Sequence, residues 1–340
     1  MKRKIALVCA AAMALSLAAC GSTTSSSEST AASDSTASES TAASDSTASE
    51  STAASSNEAA PAESSEAAEE EAPAEEAAAG DFDATQAITV VSREDGSGTR
   101  GAFIELTGVE DDNGDNTTQA AAIQNSTNGV MTTVANDATA IGYISLGSLD
   151  EKEVKAVTVA GVAPSAETVT DGTYTLARPF NIVTNGEPTD ALAVDFINYC
   201  MSAEGQAIAT EEGYVGSADA AAFEGTLPEG SIVVGGSTSV SPLMEKLIEG
   251  YQALNANATI ELQTTDSTTG VTGVMDGSYT IGMASRELKE EETAQGAVGT
   301  VLAMDGIAVI VNPANTAVED LSIDQIRSIY VGETTTWDAL

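Results

Sequence analysis

From Ile88 onward, short apolar runs alternate with amphipathic stretches. Residues 88–91, 140–144, 154–159, 180–184, 232–234, 259–263, 281–283 and 307–311 are short, apolar and mostly rich in β-branched side chains, which predicts strands. Residues 101–106, 118–124, 128–135, 191–201, 205–212, 241–254, 271–276 and 323–330 carry apolar positions at helical spacing. This alternation predicts an α/β fold whose sheets are mostly parallel and flanked by helices. In such sheets ligands lie beyond the carboxyl ends of strands, where helices begin.

Before that region the pattern is different. Lys2, Arg3 and Lys4 precede an apolar stretch over residues 5–19, which ends in Leu17-Ala18-Ala19-Cys20. The stretch is short for a membrane span, and with its basic flank it reads as a signal segment over residues 1–20. The small residues before Cys20 read as a lipobox, so Cys20 is the expected lipidation site and the expected membrane anchor. Residues 21–84 are Ser, Thr, Ala and Glu with almost no large apolar side chains. Within them Thr30 to Ser40 repeats as Thr41 to Ser51. Such a unit has nothing with which to build a core, and a linker is expected.

Four loops of the folded part are built from Gly, Ser and Thr at strand ends. They are Ser92-Arg93-Glu94-Asp95-Gly96-Ser97-Gly98-Thr99, Gly235-Gly236-Ser237-Thr238-Ser239, Thr264-Thr265-Asp266-Ser267-Thr268-Thr269-Gly270 and Ala284-Ser285-Arg286. Glycine lets backbone approach a ligand closely. Hydroxyls donate hydrogen bonds without adding charge. A following helix adds free N–H groups and the positive end of its dipole. One such loop is usually only a helix cap; three before helices, with Arg93 and Arg286, predict a cage for a tetrahedral oxyanion.

Charge and composition narrow the chemistry. The formal net charge is −40, and the part from residue 85 onward holds 37 acids against nine Lys and Arg. Nucleic acid is excluded as a partner by that balance. An anion held by neutral dipoles and one or two Arg needs no basic surface, because outer charges are screened over about 8–10 Å at physiological salt. The sequence has no histidine, which removes Ser-His-Asp triads, Cys-His pairs and His-metal sites. No catalytic residue, metal site or cofactor is expected, and the chain reads as a binding protein and not as an enzyme. Cys200, with no second cysteine in the folded part, reads as a small core residue. Trp337, Tyr143, Met131 and Met244 read as packing residues, Arg178 as half of a structural ion pair, and Asp111 to Asp115 as a solvated turn.

The loops resemble those of the PstS family, the phosphate-binding proteins that serve phosphate ABC importers. The resemblance is carried by Val90 to Thr99, Ala140 to Ser145, Gly235 to Pro242, Ile281 to Arg286, Asp305 to Asn312 and the Gly332 to Trp337 turn. It implies a two-lobed periplasmic-binding-protein-like clamp of the type II kind that closes on its anion. The motif order is swapped relative to the usual family, which implies circular permutation with a join at residues 223–230. One lobe would then comprise residues 85–182 plus 312–340, and the other residues 183–311.

Carried over, Arg93 supplies a charge-assisted bond with Asp95 orienting it. Ser97, Gly98 and Thr99 donate through hydroxyl and backbone, as do Thr238, Ser239 and Ser267, with Ser285 and Arg286 completing the set. Some members have Asp where this chain has Arg286, so either Asp95 or Asp266 takes the proton-accepting role or Arg286 adds positive charge. The implied partners are inorganic phosphate and the permease subunits of an ABC transporter, for a lipid-anchored monomer on the outer face of the bacterial membrane. The alternatives are another oxyanion, such as sulfate or molybdate, and a phosphate-sensing surface protein.

Overall fold

The computed structural model describes residues 82–340; the expected signal segment, Cys20 and nearly all of the expected linker lie outside them. Eight strands follow one another along a single hydrogen-bonded path. In spatial order they are Ala258–Thr265, Gly230–Ser237, Ile281–Ala284, Ala177–Asn185, Ala297–Val311, Ala140–Ser145, Thr89–Arg93 and Ala122–Gln124, with Lys155–Ala156 beside Ala297–Val311. Toward both ends of the path the neighbours pair in parallel. In the middle, Ala177–Asn185 and Ala297–Val311 pair antiparallel with each other and with their outer neighbours.

The apolar side chains gather on two main cores, one at each end of this path. The first takes Phe180, Ile182, Phe196, Ile232, Val234, Leu243, Met244, Leu247, Tyr251 and Leu302. The second takes Val90, Phe103, Ile141, Tyr143, Leu176, Ile307, Val309, Ile329 and Trp337. At about 1.5–3 kcal/mol for each large apolar side chain fully buried, either core is ample to hold its own layer of helices. Only the two middle strands put residues into both cores, so they are the connection between them. Helix Ser241–Leu254 illustrates the packing: Pro242 stands in its first turn, and Leu243, Met244, Leu247, Ile248 and Tyr251 form one buried stripe.

Trp337 is 2% exposed and its indole N–H donates to the Thr139 carbonyl at 3.2 Å. Met244 is fully buried, and so is Cys200, whose thiol burial pushes well above its ordinary pKa. Asp111 and Gly114 close a hairpin between Glu110–Asp111 and Gly114–Asp115.

Three expectations about elements differ from the structure. Residues 118–124 are not a helix; they turn and then form Ala122–Gln124, paired in parallel with Thr89–Arg93. Ile123 is their one large apolar side chain and is half exposed, so a helix there would have no face to bury, while the sheet edge satisfies the backbone. The run at 154–159 is broken into Lys155–Ala156 and Thr158–Val159, which pair with different strands. The strand expected at 307–311 begins at Ala297; Gly299, Asp305 and Gly306 interrupt its apolar pattern.

Candidate functional site: a buried hydroxyl cluster between the two cores

Strand Thr89–Arg93 ends at Arg93, Gly230–Ser237 at Ser237, Ala258–Thr265 two residues before Ser267, and Ile281–Ala284 one residue before Ser285. These ends meet. Helices follow three of these strands, beginning at Gly98, Ser241 and Ser267, and a fourth begins at Thr127 after Ala122–Gln124; Ser97, Ser126 and Asp266 cap three of the four with side-chain oxygens. Four positive helix ends therefore open on one region.

The hydroxyls of Thr99, Thr127, Ser237, Ser239, Ser267 and Ser285 lie in this region, each at most 5% exposed. Thr99 Oγ1 and Ser239 Oγ share a hydrogen bond at 2.8 Å, and Thr127 Oγ1 and Ser239 Oγ share one at 3.0 Å. Ser237 Oγ donates to Ser285 Oγ at 2.9 Å, and the Ser285 N–H donates to Ser267 Oγ at 3.0 Å. A side chain at Gly98 has no room: a Cβ there would stand 2.7 Å from Ser285 Oγ and nearer still to Ser267 Oγ. Among the described residues no carboxylate accepts a bond from any of these six hydroxyls.

Arg93 brings the positive charge. Its side chain is 2% exposed, and Nη2 donates to Thr238 Oγ1 at 2.9 Å across to the other core's loop. Glu94 holds the guanidinium by a bidentate pair, with Nε and Nη2 both at 2.8 Å from its carboxylate. Below it, Tyr143 OH accepts the Arg93 backbone N–H at 3.2 Å and shares a bond with Ser92 Oγ at 2.8 Å. The Tyr143 ring stacks on Phe103 at 3.9 Å, and burial pushes its phenol pKa up, so it stays a neutral support. Tyr143 is thus a packing residue that also props the loop.

Arg93, Gly98, Thr99, Thr238, Ser239, Ser267 and Ser285 are brought together as the sequence suggests, while the Ser97 hydroxyl caps its own helix, accepting from the Arg100 N–H at 3.3 Å. Asp95 and Arg286 are not part of the cluster. The Asp95 side chain is fully exposed and pairs with Arg100 at 2.9 Å, so Glu94 and not Asp95 orients Arg93. Arg286 turns its guanidinium to Glu292, at 2.7 Å and 2.8 Å, and reaches Thr268 Oγ1 at 3.3 Å. Burial raises the Glu292 carboxyl, but its bonds from Arg286 and from the Lys289 N–H outweigh that and hold its pKa below the usual value. Asp266 is occupied as a cap, accepting from the Thr269 N–H and hydroxyl.

Thr127 was missed. The signal was present: Ser126-Thr127-Asn128-Gly129 has the same hydroxyl-and-glycine composition before a helix as the other loops. Its cleft adjoins the cluster. Thr127, Thr238, Ser126, Ser148, Ser241 and Thr264 line a cavity of about 270 Å³ whose one ionisable wall residue is Glu245.

Comparison with known proteins adds relatives to this geometry. A family profile described as a PBP superfamily domain matches residues 71–204 and 219–340. A curated relative, phosphate-binding protein PstS 2 of Streptococcus agalactiae, is 46% identical over 258 residues, covering 74% of this chain and 87% of the relative. Phosphate-binding protein PstS of Bacillus subtilis is 35% identical over 133 residues, 38% of this chain and 42% of that one. A crystal structure of a phosphate-binding protein of a phosphate ABC transporter from Streptococcus pneumoniae aligns with a TM-score of 0.61 at 44% identity, over 74% of this chain and 99% of that chain.

Proposed function

This chain belongs to the PBP superfamily, among the PstS phosphate-binding proteins, and from that premise we propose that it captures inorganic phosphate outside the cell membrane and hands it to an ABC importer. It acts by binding and not by catalysis. The observation that carries the reading is the convergence of six buried hydroxyls, the buried Arg93 guanidinium and four helix N-termini on one region between the two cores.

Phosphate binding exchanges the hydroxyl-to-hydroxyl bonds of the cluster for bonds to phosphate oxygens. Ser97, Gly98, Thr99, Thr127, Thr238, Ser239, Ser267 and Ser285 donate, and Arg93 neutralises charge while Glu94 fixes its plane. The set has one guanidinium and many neutral donors, so it suits an anion of fixed tetrahedral shape. Hydroxyls both donate and accept, so a protonated phosphate oxygen finds an acceptor among them without a carboxylate; neither Asp95 nor Asp266 is needed for that role.

The clamp division follows the two cores. Against the division implied by the motifs, residues 85–182 with 312–340 and residues 183–311, the cores support earlier crossings, one between Leu176 and Phe180 and the other between Ala303 and Ile307, so that Phe180 and Ile182 go with the second lobe and Ile307, Val309 and Val311 with the first. The swapped order is supported by the two separate profile matches and by the short reach of the Bacillus alignment beside the long streptococcal one. It is supported too by the spatial meeting of residues 84–88 with 335–338, where Ile88 N–H donates to the Thr335 carbonyl at 2.8 Å. Among the described residues no helix is long and apolar enough to cross a membrane. Anchoring through Cys20, with residues 21–84 as a tether, then supplies membrane attachment for a monomer. Equilibrium titration with radiolabelled phosphate tests the reading: one site per chain is expected, and retention of sulfate or molybdate in preference to phosphate would overturn it.

A further inference from the structure

The two middle strands meet at a buried ion pair. Asp305 on Ala297–Val311 is the register partner of Arg178 on Ala177–Asn185. Both side chains are 1% exposed. Arg178 Nη2 and Nε donate to Asp305 Oδ2 at 3.0 Å and 3.3 Å, and its guanidinium lies over the Phe180 ring at 5.3 Å.

Each partner has a second bond, and the two lead in opposite directions. Asp305 Oδ1 accepts from Ser145 Oγ at 3.0 Å, on the last residue of strand Ala140–Ser145. Arg178 Nη1 donates to the Ser285 carbonyl at 3.1 Å. Ser285 is the residue whose hydroxyl meets Ser237 and Ser267 in the cluster. One chain of polar contacts thus runs from the strand beside the second core, through both crossing strands, to a residue of the hydroxyl cluster.

Stability alone gives little reason for this arrangement. Replacing a buried ion pair by apolar side chains of similar volume is often neutral or stabilising. Burial here works against both charges, lowering the Arg178 pKa and raising that of Asp305, while their mutual attraction opposes it. What the pair supplies is direction: a planar guanidinium fixed on one carboxylate leaves one N–H free to aim at one carbonyl.

We propose that the Arg178–Asp305 pair positions Ser285 for the anion and couples it to the hinge. Rotation of one lobe against the other about the crossing strands moves Ser145 relative to Ser285, so the open clamp gives up one of the two outer bonds. Phosphate drawn to the Ser285 hydroxyl restores it, and the closed state gains lifetime. The inference rests on the phosphate reading above.

The test is phosphate affinity, phosphate dissociation rate and melting temperature, measured on the full chain for wild type, Arg178→Lys and the double variant Arg178→Met/Asp305→Leu. The double variant is expected to melt at or above the wild-type temperature and yet bind phosphate at least tenfold more weakly, with faster release. Arg178→Lys keeps the charge but loses the fork to the Ser285 carbonyl, and a several-fold faster release is expected. If the double variant fails to fold, Arg178→Lys decides the matter alone. Wild-type affinity and release rate in a folded variant would overturn the coupling. A wild-type chain that binds no phosphate would instead overturn the functional reading.

Discussion

Arg93 is the residue on which the site turns. Its guanidinium is buried, paired with Glu94 and bonded to Thr238. Arg93→Ala removes the positive charge and leaves the partly buried Glu94 carboxylate beside the anion. A loss of about 2–4 kcal/mol in phosphate affinity is expected by calorimetric titration. Thr127→Val keeps the shape and removes one hydroxyl bonded to Ser239; about 1 kcal/mol of affinity should go. Glu292 sets an acid limit on stability. Its pKa is depressed in the folded chain, so its contribution is complete above the unfolded value of about 4.3 and is lost as the pH falls through the lower folded value. Glu292→Gln should therefore flatten the fall in melting temperature below about pH 4. The motif residues were legible in the sequence because loop chemistry names residue types. Which acid faces Arg93 was not: Glu94 and Asp95 are adjacent, and only the backbone path sends one inward and the other to solvent.

At the scale of elements, the strand ends and helix starts do the positioning. Gly98 opens helix Gly98–Thr107 against Ser267 and Ser285, where a Cβ has no space. Gly98→Ala is expected to hold the two loops apart and weaken phosphate binding by more than tenfold, while far-ultraviolet circular dichroism stays unchanged; wild-type affinity would show that the loops do not need this contact. Most strands and helices could be read from periodicity, since one buried face leaves a clear pattern. Residues 118–124 escaped because an exposed edge strand buries almost nothing and so writes no pattern. Residues 297–306 of Ala297–Val311 escaped for another reason: Asp305 interrupts the apolar run, and its partner Arg178 is 127 residues away in the chain.

At the scale of the whole molecule, the order of the chain and the architecture of the clamp separate. Residues 84–88 lie against 335–338, with an Asp338 N–H donating to the Ala84 carbonyl at 2.9 Å and the Phe82 ring 6.4 Å from Trp337. Joining residue 340 to residue 82 by a short glycine linker and opening the chain within 223–230 should give a folded protein with unchanged phosphate affinity. Failure to fold would show that the present order is required for the architecture. The swapped order is legible in the succession of motifs along the chain. The two cores and the crossing strands are not, because they arise from pairings between residues far apart in sequence.

In the proposed reading, neutral hydroxyls and one buried arginine hold phosphate in an otherwise acidic protein. Calorimetric titration of the purified chain with phosphate, repeated in excess sulfate, tests it most directly. One site per chain and micromolar or tighter affinity for phosphate are expected. Absence of phosphate binding, or its abolition by equimolar sulfate, would contradict it.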